Sequence, residues 1–133
     1  MTLAVLAGLV LVGVLIGVVL RVRQGRVRHA EGAAVDLVEP DSRLTVLQLS
    51  TPMCTRCPGT ARLVRGVVDQ RPGAHHREID LVDRPDIADR FHVASTPTLL
   101  LVDGSGRVRR RIVGAPSRDD LTHAIDELLE VPA

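Results

Sequence analysis

Cys54 and Cys57 are the only cysteines in the chain, and two residues separate them. Side chains at that spacing lie close enough to bridge, and the thiolate of such a pair is the species that attacks another disulfide. Arg56, between the two, adds positive charge that favours a thiolate. Three chemistries are open to the pair: thiol–disulfide exchange, metal binding, or none, as for two incidental thiols in a reducing compartment. A zinc site would need a second pair of ligands, whereas Met53 beside the pair supplies a further soft sulfur of the kind copper prefers. All 17 basic residues are arginine, so Schiff-base chemistry on lysine is excluded.

The surrounding pattern decides how the pair is held. Leu44 to Leu49 is a Leu-rich run with β-branched residues, and it predicts a buried strand that stops by Pro52, just before the cysteines. Thr55 to Gln70 carries Ala61, Leu63, Val64, Val67 and Val68 at helical spacing, with Pro58 in the first turn and Pro72-Gly73 closing it. A strand-to-helix junction therefore sets the cysteines at a helix N-terminus, whose positive end favours a thiolate. Cys54 becomes the natural nucleophile and Cys57, one turn in, the resolving residue. A Cys-x-x-Cys in such a context reads as redox-active.

Further along, His75 to Val82 predicts a second strand, and Arg84 to Phe91 a short helix opened by Asp83. Thr98 to Val102 is a third strand, Asp103-Gly104-Ser105-Gly106 a hairpin turn, and Arg107 to Val113 an antiparallel partner whose alternating arginines suggest an edge strand. Ser117 opens the last helix with Asp120 three residues on, and Leu121, Ala124, Ile125, Leu128 and Leu129 line its apolar face. The order is β-α-β-α-β-β-α, an α/β fold around a central mixed sheet over residues 42–133.

Ahead of it, Leu3 to Leu20 is uncharged and apolar, long enough to cross a bilayer as a helix. No positive residue precedes this run and no small-residue cleavage motif follows it, so residues 1–20 read as a transmembrane helix and not as a cleaved signal. Arg21, Arg23, Arg26 and Arg28 come next and by the positive-inside rule place the C-terminal domain in the cytoplasm of a single-pass membrane protein. Residues 21–41 read as an Arg-rich juxtamembrane linker able to touch membrane lipid.

The formal net charge is +1 and Phe91 is the lone aromatic residue, so nucleic acid is not an expected partner and the core must be aliphatic. His75 and His76 read as solvated side chains, and Asp80 as a solvated carboxylate at a strand end.

Residues 44 to 131 resemble the thioredoxin family. One anchor is the segment Thr51-Pro-Met-Cys-Thr-Arg-Cys57, similar to the family's active-site turn; the other runs from Val93 through Thr96-Pro97 to Gly106, similar to its proline loop and hairpin. The resemblance implies that Pro97 is cis and lies beside Cys54, that the backbone of Thr96 pairs with an extended substrate segment, and that the proline keeps metal off the thiolates. It also implies a site with no metal and no cofactor beyond the Cys54–Cys57 disulfide. Protein partners bearing disulfides or thiols, and a reductase or membrane electron donor, are expected. Met53 and Thr55-Arg56 depart from the family's usual residues around the pair and are expected to modulate potential and substrate range. Gln48 stands where the family carries a buried acid, and the family's first strand and helix have no clear counterpart. Two other readings are a copper- or zinc-carrying domain using the same cysteines and a redox-inactive adaptor of the same fold.

Overall fold

A computed structural model describes residues 1–23, 27–29 and 34–131. The elements are α1 (Thr2–Arg23), β1 (Val27–His29), a single 3-10 turn (Val35–Leu37), β2 (Leu44–Ser50), α2 (Cys57–Val68), β3 (Ala74–Asp80), α3 (Pro85–Arg90), β4 (Thr98–Asp103), β5 (Val108–Val113) and α4 (Arg118–Glu130). Every expected strand and helix forms, with ends shifted by one to three residues. The largest shift is at the end of α1, which runs on to Arg23; α2 starts two residues late, at Cys57, so Cys54 sits in the turn before the helix.

Five strands form one mixed sheet in the order β1-β5-β4-β2-β3. β2 and β3 run parallel in the register Gln48↔Glu78 and Ser50↔Asp80, while the other pairs are antiparallel. Because side chains alternate across a sheet, β2 splits into two sets. Leu44 and Val46 join Leu99, Leu101 and Ile112 under α2 and α4, packed by Val64, Val67, Leu121 and Ile125. Leu47 and Leu49 join Leu100, Val102 and Val108 on the other face, covered by Leu37, Ile87 and Phe91. Fully burying one such aliphatic side chain is worth roughly 1.5–3 kcal/mol, and the two clusters together make the aliphatic core that the composition requires.

Two expectations need correction. β5 is not an edge strand: Val27, Arg28 and His29, within the expected linker, pair with Ile112, Arg111 and Arg110. The arginines of β5 are also engaged. Arg110 bonds Glu127 of α4, Arg109 bonds Asp103, and Arg111 donates to the carbonyls of Phe91 and His92. Nor does Asp83 cap α3, since Arg84 holds the N-cap position without a side-chain hydrogen bond; Pro85, which has no N–H to satisfy, opens the helix. By contrast, Ser117 Oγ accepts the backbone N–H of Asp120 at 3.1 Å and starts α4 as expected.

At the end of the sheet away from the cysteines, Gly104 approaches the chain so closely that a Cβ there would lie 2.7 Å from the carbonyl oxygen of Ser42. The residue is glycine because no side chain fits. The helix α1 is uncharged from Thr2 to Leu20, its span Thr2–Val22 is exposed, and its length and composition suffice to cross a membrane.

Candidate active site

β2 delivers the chain to Ser50, and the turn that follows is tied by the N–H of Cys54 to the carbonyl of Thr51 at 3.1 Å and by the N–H of Cys57 to the carbonyl of Cys54 at 3.3 Å. The cysteines are joined in a disulfide with their Cα atoms 5.4 Å apart. Their surroundings differ. Cys54 is partly open to solvent, whereas Cys57 is 3% exposed.

Two depressions flank the pair. A shallow groove is walled by Thr51, Met53, Cys54, Thr55, Arg56 and Thr96. Met53 stands 89% exposed on it, an apolar side chain presented to whatever docks there. The Thr96–Pro97 bond is cis; Thr96 lines the groove, with its hydroxyl 3.5 Å from that of Thr51, while Pro97 is buried and is not part of the wall. The loop that carries both is held by Arg111 on the carbonyls of Phe91 and His92 and by the Gly114 N–H on the carbonyl of Pro97 at 2.7 Å. Thus Cys54, Thr96, Met53 and Arg56, nominated from the sequence, do converge on one surface.

The second depression, about 430 Å³, is walled by Ser50, Thr51, Pro52, Cys54, Cys57, Pro58, Glu78 and Asp80. Its carboxylates come from β3, where the parallel register turns positions 76, 78 and 80 to the same face as Gln48. Gln48 is fully buried. Its Nε2 lies 3.0 Å from the carbonyl oxygen of Cys57, 3.1 Å from Ser50 Oγ and 3.5 Å from Glu78 Oε1, and its Oε1 lies 3.1 Å from His76 Nε2. The position expected to hold a neutral amide therefore organises a polar network against the backbone of Cys57.

His76 is not a solvated side chain. Burial, then the repulsion of Arg65, pulls its pKa below the ordinary value, and the attraction of Glu78 and Asp69 only partly offsets this. It is a neutral ring at pH 7. Glu78 and His76 were missed from the sequence because period-two alternation puts residues 76, 78 and 80 on one face without saying which face meets Gln48. Among the described residues, no three His, Cys, Asp or Glu side chains gather as a metal-binding group.

Comparison with known proteins agrees with this geometry. The chain matches the thioredoxin family profile over residues 30–127, a span that begins after α1 and β1. It is 29% identical over 89 residues to a thioredoxin of Methanocaldococcus jannaschii, covering 66% of this chain and 99% of the relative. To thioredoxin H2 of Arabidopsis thaliana it is 26% identical over 91 residues, covering 68% of this chain and 67% of that one. Among solved structures, a mutant thioredoxin from Halobacterium salinarum superposes with a TM-score of 0.62 at 22% identity, over 70% of this chain and 80% of that one. The oxidized mitochondrial thioredoxin 3 of Saccharomyces cerevisiae gives 0.61 at 22% identity, over 70% and 85%. With the sheet, the bonded cysteine pair and the profile in agreement, the chain belongs to the thioredoxin family and Cys54–Cys57 is its thiol–disulfide redox pair.

Proposed function

We propose that the protein is a membrane-tethered thiol–disulfide oxidoreductase working as a reductant on the cytoplasmic side. The Cys54 thiolate attacks a disulfide on a partner protein and releases one partner thiolate. Cys57 then attacks Cys54 Sγ, the second partner thiolate leaves, and the chain is left as the Cys54–Cys57 disulfide. The observation that carries this division of labour is the unequal exposure of the two sulfurs: a partner reaches Cys54 in the groove, while Cys57 is covered. In this reading the backbone of Thr96, beside buried Pro97, pairs with an extended partner segment, and Met53 and Arg56 tune what docks. No cofactor beyond the disulfide is used, and a reductase or membrane electron donor returns it to the dithiol.

The tether is α1, whose last turn carries Arg21 and Arg23, with Arg26 and Arg28 next in the sequence. The experiment is a redox titration of the full chain in mild detergent through glutathione and dithiothreitol buffers, counting free thiols by alkylation and mass, with and without copper or zinc. A reversible two-electron transition lost in Cys54→Ser is the expected result, and a midpoint near those of known reductants sets the direction. Thiols that instead resist oxidation and are protected by stoichiometric metal would transfer the assignment to metal carriage. A C-terminal tag cleaved by protease added outside intact cells would reverse the topology.

A further inference from the structure

Resolution requires Cys57 as a thiolate, yet Cys57 is buried, and burial works against a charged sulfur. The step therefore needs a proton acceptor within reach of Cys57. Gln48, whose buried amide donates to the Cys57 carbonyl, has nothing to titrate. Two carboxylates line the depression that Cys57 shares, Glu78 and Asp80. Asp80 is committed to the turn after β3, where its Oδ1 accepts the Val82 N–H at 2.8 Å. Glu78 Oε1 instead lies 3.5 Å from the same Gln48 Nε2 that donates to the Cys57 carbonyl. The other end of that amide, Gln48 Oε1, lies 3.1 Å from His76 Nε2. Glu78 is also exposed, so a proton it takes can pass on to water.

We propose that Glu78 is the proton acceptor for Cys57, with Gln48 as the positioning residue that holds it over the depression. This rests on the exchange reading above and adds the path of the proton. In the oxidising direction, the Cys57 S–H bond breaks and its proton goes to the Glu78 carboxylate. The Cys57 sulfur then forms a bond to Cys54 Sγ, the bond from Cys54 to the partner breaks, and the partner leaves as a thiolate that is protonated from solvent. When a dithiol donor reduces the disulfide, Cys57 departs as thiolate and protonated Glu78 returns the proton.

The test uses the reduced full chain in detergent, mixed rapidly with excess chromogenic aryl disulfide. One coloured thiolate is released when Cys54 attacks and a second when Cys57 resolves. Glu78→Gln should slow the second release about tenfold to a hundredfold near neutral pH, the usual scale of a lost general base, and leave the first release within about twofold. The deficit should shrink as pH rises, Glu78→Asp should recover part of the rate, and Asp80→Asn should not reproduce the loss. The sign is diagnostic, because deleting a negative charge beside a thiol favours the thiolate and would by itself speed resolution. Other charges that bear on the profile are Asp80 in the depression and His76 behind Gln48, with Arg65 and Asp69 acting on His76. A second release that is unchanged or faster in Glu78→Gln, or slowed equally in Asp80→Asn, overturns the assignment. A wild-type chain that gives no second release overturns the exchange reading as well.

Discussion

At the cysteines, burial and not residue type distinguishes the two side chains. Cys57→Ser should leave a partner attached to Cys54, because a hydroxyl cannot displace the mixed disulfide. A reductant-sensitive adduct on a non-reducing gel, absent when Cys54 is also replaced, is the expected observation. Gly104 makes a different kind of residue-level demand. Gly104→Ala forces a methyl against the Ser42 carbonyl, and overpacking of that kind costs about 1–3 kcal/mol, read as a lower urea midpoint with the active-site chemistry unchanged. Both the cysteine spacing and the Asp-Gly turn were plain in the sequence. The close approach at Gly104 was not, since it depends on the turn folding back on Ser42 and Arg43, far earlier in the chain.

Elements form where local signals agree. Ser117→Ala removes the acceptor for the Asp120 N–H at the start of α4 and should destabilise the domain by about 1 kcal/mol, measured by denaturant unfolding, with Ser117→Asp restoring most of it. α4 matters to the site indirectly, since Leu121, Ala124 and Ile125 press on the same face of the sheet as α2. The bidentate pair of Arg71 and Asp126, at 2.5 and 3.1 Å, ties the segment after α2 to α4. β1 shows where local signals stop: three residues among arginines carry no strand pattern of their own and become a strand only because β5 offers an unpaired backbone edge.

For the whole molecule, the placement of His76 makes stability depend on pH. Its folded pKa lies below the ordinary 6.5, so between those two values the unfolded chain binds the extra proton. Stability from this source is therefore complete above about pH 6.5 and is lost as pH falls toward the folded value. Thermal melts of wild type and His76→Gln from pH 7 to 5 should show a smaller acid-induced fall in Tm in the variant, because glutamine keeps a donor for Gln48 Oε1 and has no proton to gain. Equal falls would mean that other groups govern the acid response.

The order of strands and helices, the cysteine pair, the proline loop and the apolar N-terminal helix could all be read from the chain alone. Each is encoded over a few consecutive residues by hydrophobic period, helix-start chemistry or turn residues, and the motif spacing that carried the family resemblance is likewise a property of the linear chain. Tertiary structure alone decided the parallel register of β2 with β3, which puts Gln48, His76 and Glu78 in one network beneath Cys57. It also decided that β1 covers β5. Register and strand neighbours depend on which distant segments bury surface against each other, and a slip of one residue would turn every side chain of β3 to the opposite face. That choice is made by the assembled core, in which Ala74 of β3 packs beneath α2 and Ile79 on the far side of the sheet, and by no short stretch of sequence.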